Sequence, residues 1–122
     1  MGPAPAAGPA RSADAVSDTT ETVAFRMRLH AGQADEYRRR HDAIWPELTA
    51  LLRDAGVVEY RIFLDEETHA LFAVLTRRVD HAFGPLRQHP VMLRWWAMMA
   101  DIMDTHDDNA PVQAPLREMF VL

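Results

Sequence analysis

Tyr37 and His41 stand four residues apart in the stretch EYRRRHDAIWPEL, so a helix there puts a phenol and an imidazole on one face. At about 100° per residue the same stripe takes in Ile44, Leu48 and Leu51, which turns both polar side chains toward the interior. An imidazole titrates near neutrality and can move protons; in a plain core it and the phenol would instead satisfy each other or a nearby carbonyl. The spacing alone allows either. Trp95 and Trp96, adjacent in RWWAMMAD, point about 100° apart on a helix, so at most one sits centrally in a core stripe. The other must meet an edge, a pocket or an interface. Each offers a broad apolar ring and an N–H, properties that suit amphipathic ligands. Tyr60, in the alternating run VVEYRIFLD, adds an aromatic with a polar tip on the inward face of its strand, between Val58 and Ile62. Pro46 cannot donate to the carbonyl of Asp42, and the kink expected beside His41 opens room between helix and sheet for a small ligand.

The rest of the composition narrows the chemistry. The six histidines, at 30, 41, 69, 81, 89 and 106, show no HxxxH or HxH spacing, so no metal site is expected. GxGxxG, Walker and GxSxG motifs are absent, which leaves nucleotide binding and serine hydrolysis without support, and no cofactor is expected. Cysteine is absent as well, which removes thiol nucleophiles and disulfides and fits a reducing cytoplasm. The net charge of -5 argues against nucleic acid or an anionic membrane as main partner, because both are held through clustered Lys and Arg. The one basic cluster, Arg38 to Arg40, has Glu36, Asp42 and Glu47 near it and reads as the solvent side of a helix. What remains is one imidazole, two phenols and two indoles. Such an uncharged aromatic pocket suits a neutral polyhydroxylated ligand that needs proton transfers and nothing else, as in the interconversion of sugar anomers.

The elements that must position these groups follow from periodicity. At 122 residues the chain has room for one domain. Residues 1–22, rich in Ala, Pro, Gly and Ser, read as a disordered leader, and residues 23–122 as the domain. Val23, Phe25, Met27 and Leu29 alternate with polar neighbours as a half-buried strand. A single amphipathic helix follows, kinked at Pro46 and stopped by Gly56. VVEYRIFLD and ALFAVLTR form a hairpin across DEETH. A helical stretch from Asp80 to about Asp104 is expected to break near Gly84-Pro85 and His89-Pro90. DTHDDNAPVQAP reads as loop and LREMFVL as the closing strand. Strand, helix, strand, strand, helix, strand is the order of an α+β, ferredoxin-like split βαβ fold with an antiparallel sheet and both helices on one face. Its second sheet face needs a cover, and a second copy of the chain is the simplest one.

Taken together, YxxxH followed by IWPEL, YRIFLD, RWWAMMADIM and DDNAPV resemble the L-rhamnose mutarotase family, over about Val23 to Leu122. The resemblance implies a homodimeric, dimeric α/β barrel of ferredoxin-like protomers in the cytoplasm that interconverts the α and β anomers of L-rhamnose. Carried over residue by residue, it implies His41 as the proton donor and Tyr37, Tyr60, Trp95 and Trp96 as substrate-binding groups. On that footing His41 protonates the ring oxygen, a tyrosine or ordered water handles the anomeric proton, and the indoles hold the apolar side of the 6-deoxy sugar. Two other readings fit the bare residues: a sugar-binding module without turnover, and a cofactor-independent monooxygenase on the same dimeric barrel.

Overall fold

The computed structural model describes residues 19–122; most of the expected leader, residues 1–18, lies outside them. Strand β1 runs Thr20–Arg28, starting before Val23, and is followed by helices α1 (Ala34–Asp42) and α2 (Pro46–Ala55). Strands β2 (Val57–Asp65) and β3 (Ala70–Arg78) form the expected hairpin. A short 3₁₀ helix (Gly84–Gln88), helix α3 (Pro90–Met99) and strand β4 (Ala114–Leu116) complete the chain. The sheet order is β2-β3-β1-β4, and every neighbouring pair is antiparallel.

The alternation read in β1 translates directly into register. Val23, Phe25 and Met27 lie opposite Leu75, Ala73 and Leu71 of β3, and these in turn lie opposite Tyr60, Ile62 and Leu64 of β2. This face carries the helices: Met27, Leu29, Leu71 and Ala73 form one core cluster with Leu48 of α2 and with Trp95 and Met99 of α3. Leu48 and Leu71 are each only 2% exposed, and burial of such a side chain is worth about 1.5–3 kcal/mol. Val58 does not join the inward face as expected. A bulge between Val57 and Glu59 sets Val57 opposite Arg77, and Val58 is left 50% exposed. One extra residue reverses the alternation ahead of it.

The single kinked helix expected across Pro46 is in fact two helices. Trp45 takes extended angles (φ -66°, ψ 131°), because a residue before proline is pushed out of the helical region. Pro46 then occupies the first position of α2, where its missing N–H costs nothing. Gly56 ends α2 at φ 120°, and a Cβ there would lie 3.0 Å from the His81 Cβ, so glycine is needed both for conformation and for space. The breaks at the later prolines occur as expected, with His89 Nδ1 accepting from the Val91 N–H at the start of α3, although α3 stops at Met99.

The closing strand is also displaced. LREMFVL contributes only Leu116, and β4 comes from the segment read as loop, with Ala114 and Leu116 opposite Arg26 and Ala24. Pro115 is tolerated because β4 pairs on one side only. Met119, Phe120, Val121 and Leu122 lie beyond the strand, 77%, 77%, 69% and 104% exposed.

Candidate functional site

Splitting the helix at Ala43–Trp45 leaves α1 as a short carrier of the two groups singled out first. Tyr37 and His41 are stacked, with ring centroids 4.3 Å apart and planes 26° from parallel. The His41 ring meets Trp95 edge-on at 5.3 Å and 90°. Trp95 is buried in α3, and its ring is also met by Trp45, from the α1–α2 break, at 5.2 Å and 88°. Trp96 is half-buried on the neighbouring face, with the Arg87 guanidinium 5.5 Å over its ring. One indole thus lies in the core and the other at an edge, as the 100° offset requires. Tyr60 approaches from β2, its ring 6.3 Å from that of Phe25.

All five predicted residues line one open cavity of about 1010 Å³ between the helices and the helix-bearing face of the sheet. Typical ligand pockets span about 300–1,000 Å³, so the space is of small-ligand size. The lining is largely aliphatic and aromatic, with Met27, Ile62 and Leu75 forming part of its floor. Among the described residues, no group of three or more His, Asp or Glu side chains converges in a metal-ligand arrangement.

Among the polar groups, one ring nitrogen of His41 is engaged and the other faces no hydrogen-bond partner among the described residues. His41 Nδ1 lies 3.0 Å from the Tyr37 carbonyl oxygen. A carbonyl can only accept, so Nδ1 carries the hydrogen and Nε2 of the neutral ring keeps its lone pair. Burial lowers the His41 pKa below its ordinary value, against smaller opposing effects of the Tyr37 carbonyl and Asp42. Burial also raises Tyr37, with the nearby Tyr60 phenol adding to the effect. Tyr60 keeps 40% of its surface exposed, yet its phenol is desolvated by the surrounding protein and pushed up to about 12. Both tyrosines are therefore neutral hydrogen-bonding groups near pH 7.

Two residues that the sequence did not flag support the site. Trp45 backs Trp95; its only local signal was an aromatic immediately before a proline. Arg40 was read with Arg38 and Arg39 as solvent-facing, but its side chain is only 14% exposed, against 83% and 68% for the other two. It reaches across to the end of α3, a contact that nothing in its neighbours along the chain announces.

Comparison with known proteins matches the whole described domain. The L-rhamnose mutarotase family model covers residues 22–122. An L-rhamnose mutarotase of Rhizobium meliloti (strain 1021) is 62% identical over 102 residues, spanning 84% of this chain and 98% of that protein. The crystal structure of an L-rhamnose mutarotase from Formosa agariphila superposes with a TM-score of 0.76 at 47% identity, covering 84% of this chain and 98% of that one. A dimeric ferredoxin-like protein from an uncultured marine organism shares the fold alone, with a TM-score of 0.53 at 12% identity over 88% of this chain and 96% of that one.

Proposed function

The chain belongs to the L-rhamnose mutarotase family, and from that membership we propose that it interconverts the α and β anomers of L-rhamnose in the cavity between its sheet and helices. It is an isomerase that acts on a free sugar. The observation that carries the assignment of roles is the single uncommitted nitrogen of His41, beside Tyr37, Trp95 and the open cavity.

Ring opening moves one proton from the anomeric hydroxyl to the ring oxygen while the bond between the anomeric carbon and the ring oxygen breaks and the aldehyde forms. Both oxygens are attached to the same carbon, so one imidazole can serve both. In the proposed step, neutral His41 accepts the hydroxyl proton at Nε2, and the imidazolium passes it to the ring oxygen. After rotation about the bond next to the aldehyde, the same transfers run backward and close the ring on the other face. Burial keeps the phenols of Tyr37 and Tyr60 protonated, so no phenolate is present to take a proton, and both are assigned to hydrogen bonding of sugar hydroxyls. Trp95 and Trp96 are assigned to the apolar side of the 6-deoxy sugar.

Saturation-transfer NMR of L-rhamnose, with and without catalytic amounts of the protein, tests the function: faster exchange supports it, and an unchanged rate of anomer exchange overturns it. The same measurement reads the pH dependence. Because burial favours neutral His41, kcat/KM is expected to stay level through neutrality and to fall only on an acid limb below the ordinary histidine value of 6.5. The stability that folding gains from keeping this ring neutral is present above 6.5 and is lost as pH falls through the lowered pKa. An acid limb at or above 6.5 would contradict the desolvated, neutral His41.

The homodimer is proposed on the second face of the sheet. There Phe63, Val74 and Leu116 are 54%, 37% and 38% exposed, and the exposed apolar residues 119–122 follow Leu116 closely in sequence. A second copy covers such a face by the same hydrophobic burial that builds the core. Sedimentation equilibrium is expected to give twice the 13.8 kDa chain mass, and Phe63→Lys with Val74→Lys is expected to shift it toward the monomer. Among the described residues no helix is long and apolar enough to cross a membrane, and the proposed location is the cytoplasm, where a sugar isomerase of this family would meet its free substrate.

A further inference from the structure

Helix α1 brings Tyr37 and His41 to the site, and its apolar packing rests on those two part-buried rings. It has nine residues, and none of them is fully buried. A helix of that length is not stable by itself in water, and the break at Ala43–Trp45 frees it from α2. Most of its side-chain hydrogen bonds close within the helix: Arg38 to Asp42, Arg39 to Glu36, and His41 to the Tyr37 carbonyl. Arg40 is the exception. Its Nε donates to Glu36 at 2.7 Å, which holds the guanidinium from behind. Nη1 donates to the Met98 carbonyl at 2.8 Å and to Asp101 at 2.9 Å, and Nη2 reaches the other Asp101 oxygen at 3.3 Å. Among the described residues, no other side chain of α1 makes a hydrogen bond to a different element.

Met98 is in α3 and Asp101 lies just past its end, and α3 carries Trp95 and Trp96. We propose that Arg40 is a positioning residue that clamps α1 to the end of α3 and so sets the His41–Trp95 geometry on which anomer exchange depends. This rests on the site reading above. Arg40 touches no sugar; it acts through the orientation of His41. The planar fork matters because three directions are used at once, toward Glu36, the Met98 carbonyl and the Asp101 carboxylate, and a lysine ammonium cannot reproduce them together. A misplacement of about 1 Å at a reacting group can cost on the order of 10²-fold in rate.

Arg40→Ala, Arg40→Lys and Asp101→Asn test the clamp, with Arg39→Ala as the control on the same helix. Asp101 is exposed, so its variant keeps the experiment interpretable if Arg40→Ala folds poorly. The expected result is a fall in kcat of about tenfold to 10²-fold, with little change in KM, in all three clamp variants. The acid limb of kcat/KM should move upward as His41 gains access to water. Arg40→Lys should not rescue, Arg39→Ala should behave as wild type, and Arg40→Ala and Asp101→Asn should combine non-additively. Amide hydrogen exchange supplies a readout independent of activity: residues 34–42 should lose protection in the clamp variants while residues 46–55 keep theirs. Wild-type kcat and an unmoved acid limb in folded Arg40→Ala or Asp101→Asn would overturn the proposal, as would full rescue by lysine or unchanged protection of residues 34–42. A wild-type protein that leaves anomer exchange unaltered would instead overturn the functional reading, and the exchange data would still decide the clamp.

Discussion

Replacing His41 by alanine is expected to lower kcat for L-rhamnose anomer exchange by about 10²- to 10⁴-fold, the usual range for a positioned acid or base, with sugar binding retained. The expectation follows from the geometry of one ring. Nδ1 is tied to the Tyr37 carbonyl at 3.0 Å, so Nε2 is the only nitrogen that can exchange protons with a ligand. Burial holds the ring neutral at neutral pH, and both phenols nearby are raised away from the range in which they could take over as bases. Binding survives in this view because Tyr37, Tyr60 and the two indoles remain. Kinetics by saturation transfer and binding by calorimetry separate the two effects. Added imidazole should restore part of the rate in His41→Ala, since the deletion leaves a ring-sized gap between Tyr37 and Trp95. Binding lost together with rate would make His41 a structural or binding group, and an unchanged rate would remove it from the reaction.

Trp95→Ala is expected to be the most destabilising single substitution at the site, at about 3–5 kcal/mol, the cost typical of emptying a buried Trp or Phe position. Trp95 is 8% exposed and sits within the same core cluster as Leu48, Leu71 and Met99. Its ring also meets those of His41 and Trp45, both close to perpendicular, and edge-to-face aromatic pairs add about 0.5–1.5 kcal/mol each beyond their buried area. A loss of that size is a large part of a total stability of about 5–15 kcal/mol. Urea unfolding gives the value directly. Trp96→Ala is the contrast: that side chain is only half-buried and carries Arg87 on its face, so its loss should raise KM more than it lowers stability. Equal stability losses at the two positions would mean that the core and pocket indoles had been assigned wrongly.

The two tryptophans show how far a one-dimensional pattern reaches. Their 100° offset was enough to say that one indole is central and the other peripheral, because helical geometry is local and repeats every few residues. The same holds for Tyr37 and His41, which share a face by their four-residue spacing, and for Val23, Phe25 and Met27, whose alternation became the register against Leu75, Ala73 and Leu71. Each of these readings needs only the neighbours along the chain.

The failures have a common cause of the opposite kind. Pro46 was legible as a disturbance, and the bias it puts on Trp45 is local. A proline can either kink a helix or end it, however, and that α1 and α2 part entirely goes with the packing of extended Trp45 on Trp95 fifty residues further on. The bulge that turned Val58 outward, and the pairing of Ala114–Leu116 with β1 in place of a longer terminal strand, were decided by partners across the sheet. Arg40 is the sharpest case. Beside Arg38 and Arg39 it looked like one of three solvated charges, yet besides Glu36 on its own helix it holds a second carboxylate 61 residues away. By itself the amino-acid sequence determined which faces are apolar, which groups could exchange protons and which family the chain resembles, since all of these are carried by local spacing and residue type. Only the tertiary structure decided how far the His41 ring is desolvated, how α1 is fastened and which indole is buried, because desolvation and the choice of a distant partner arise only when separate elements pack together.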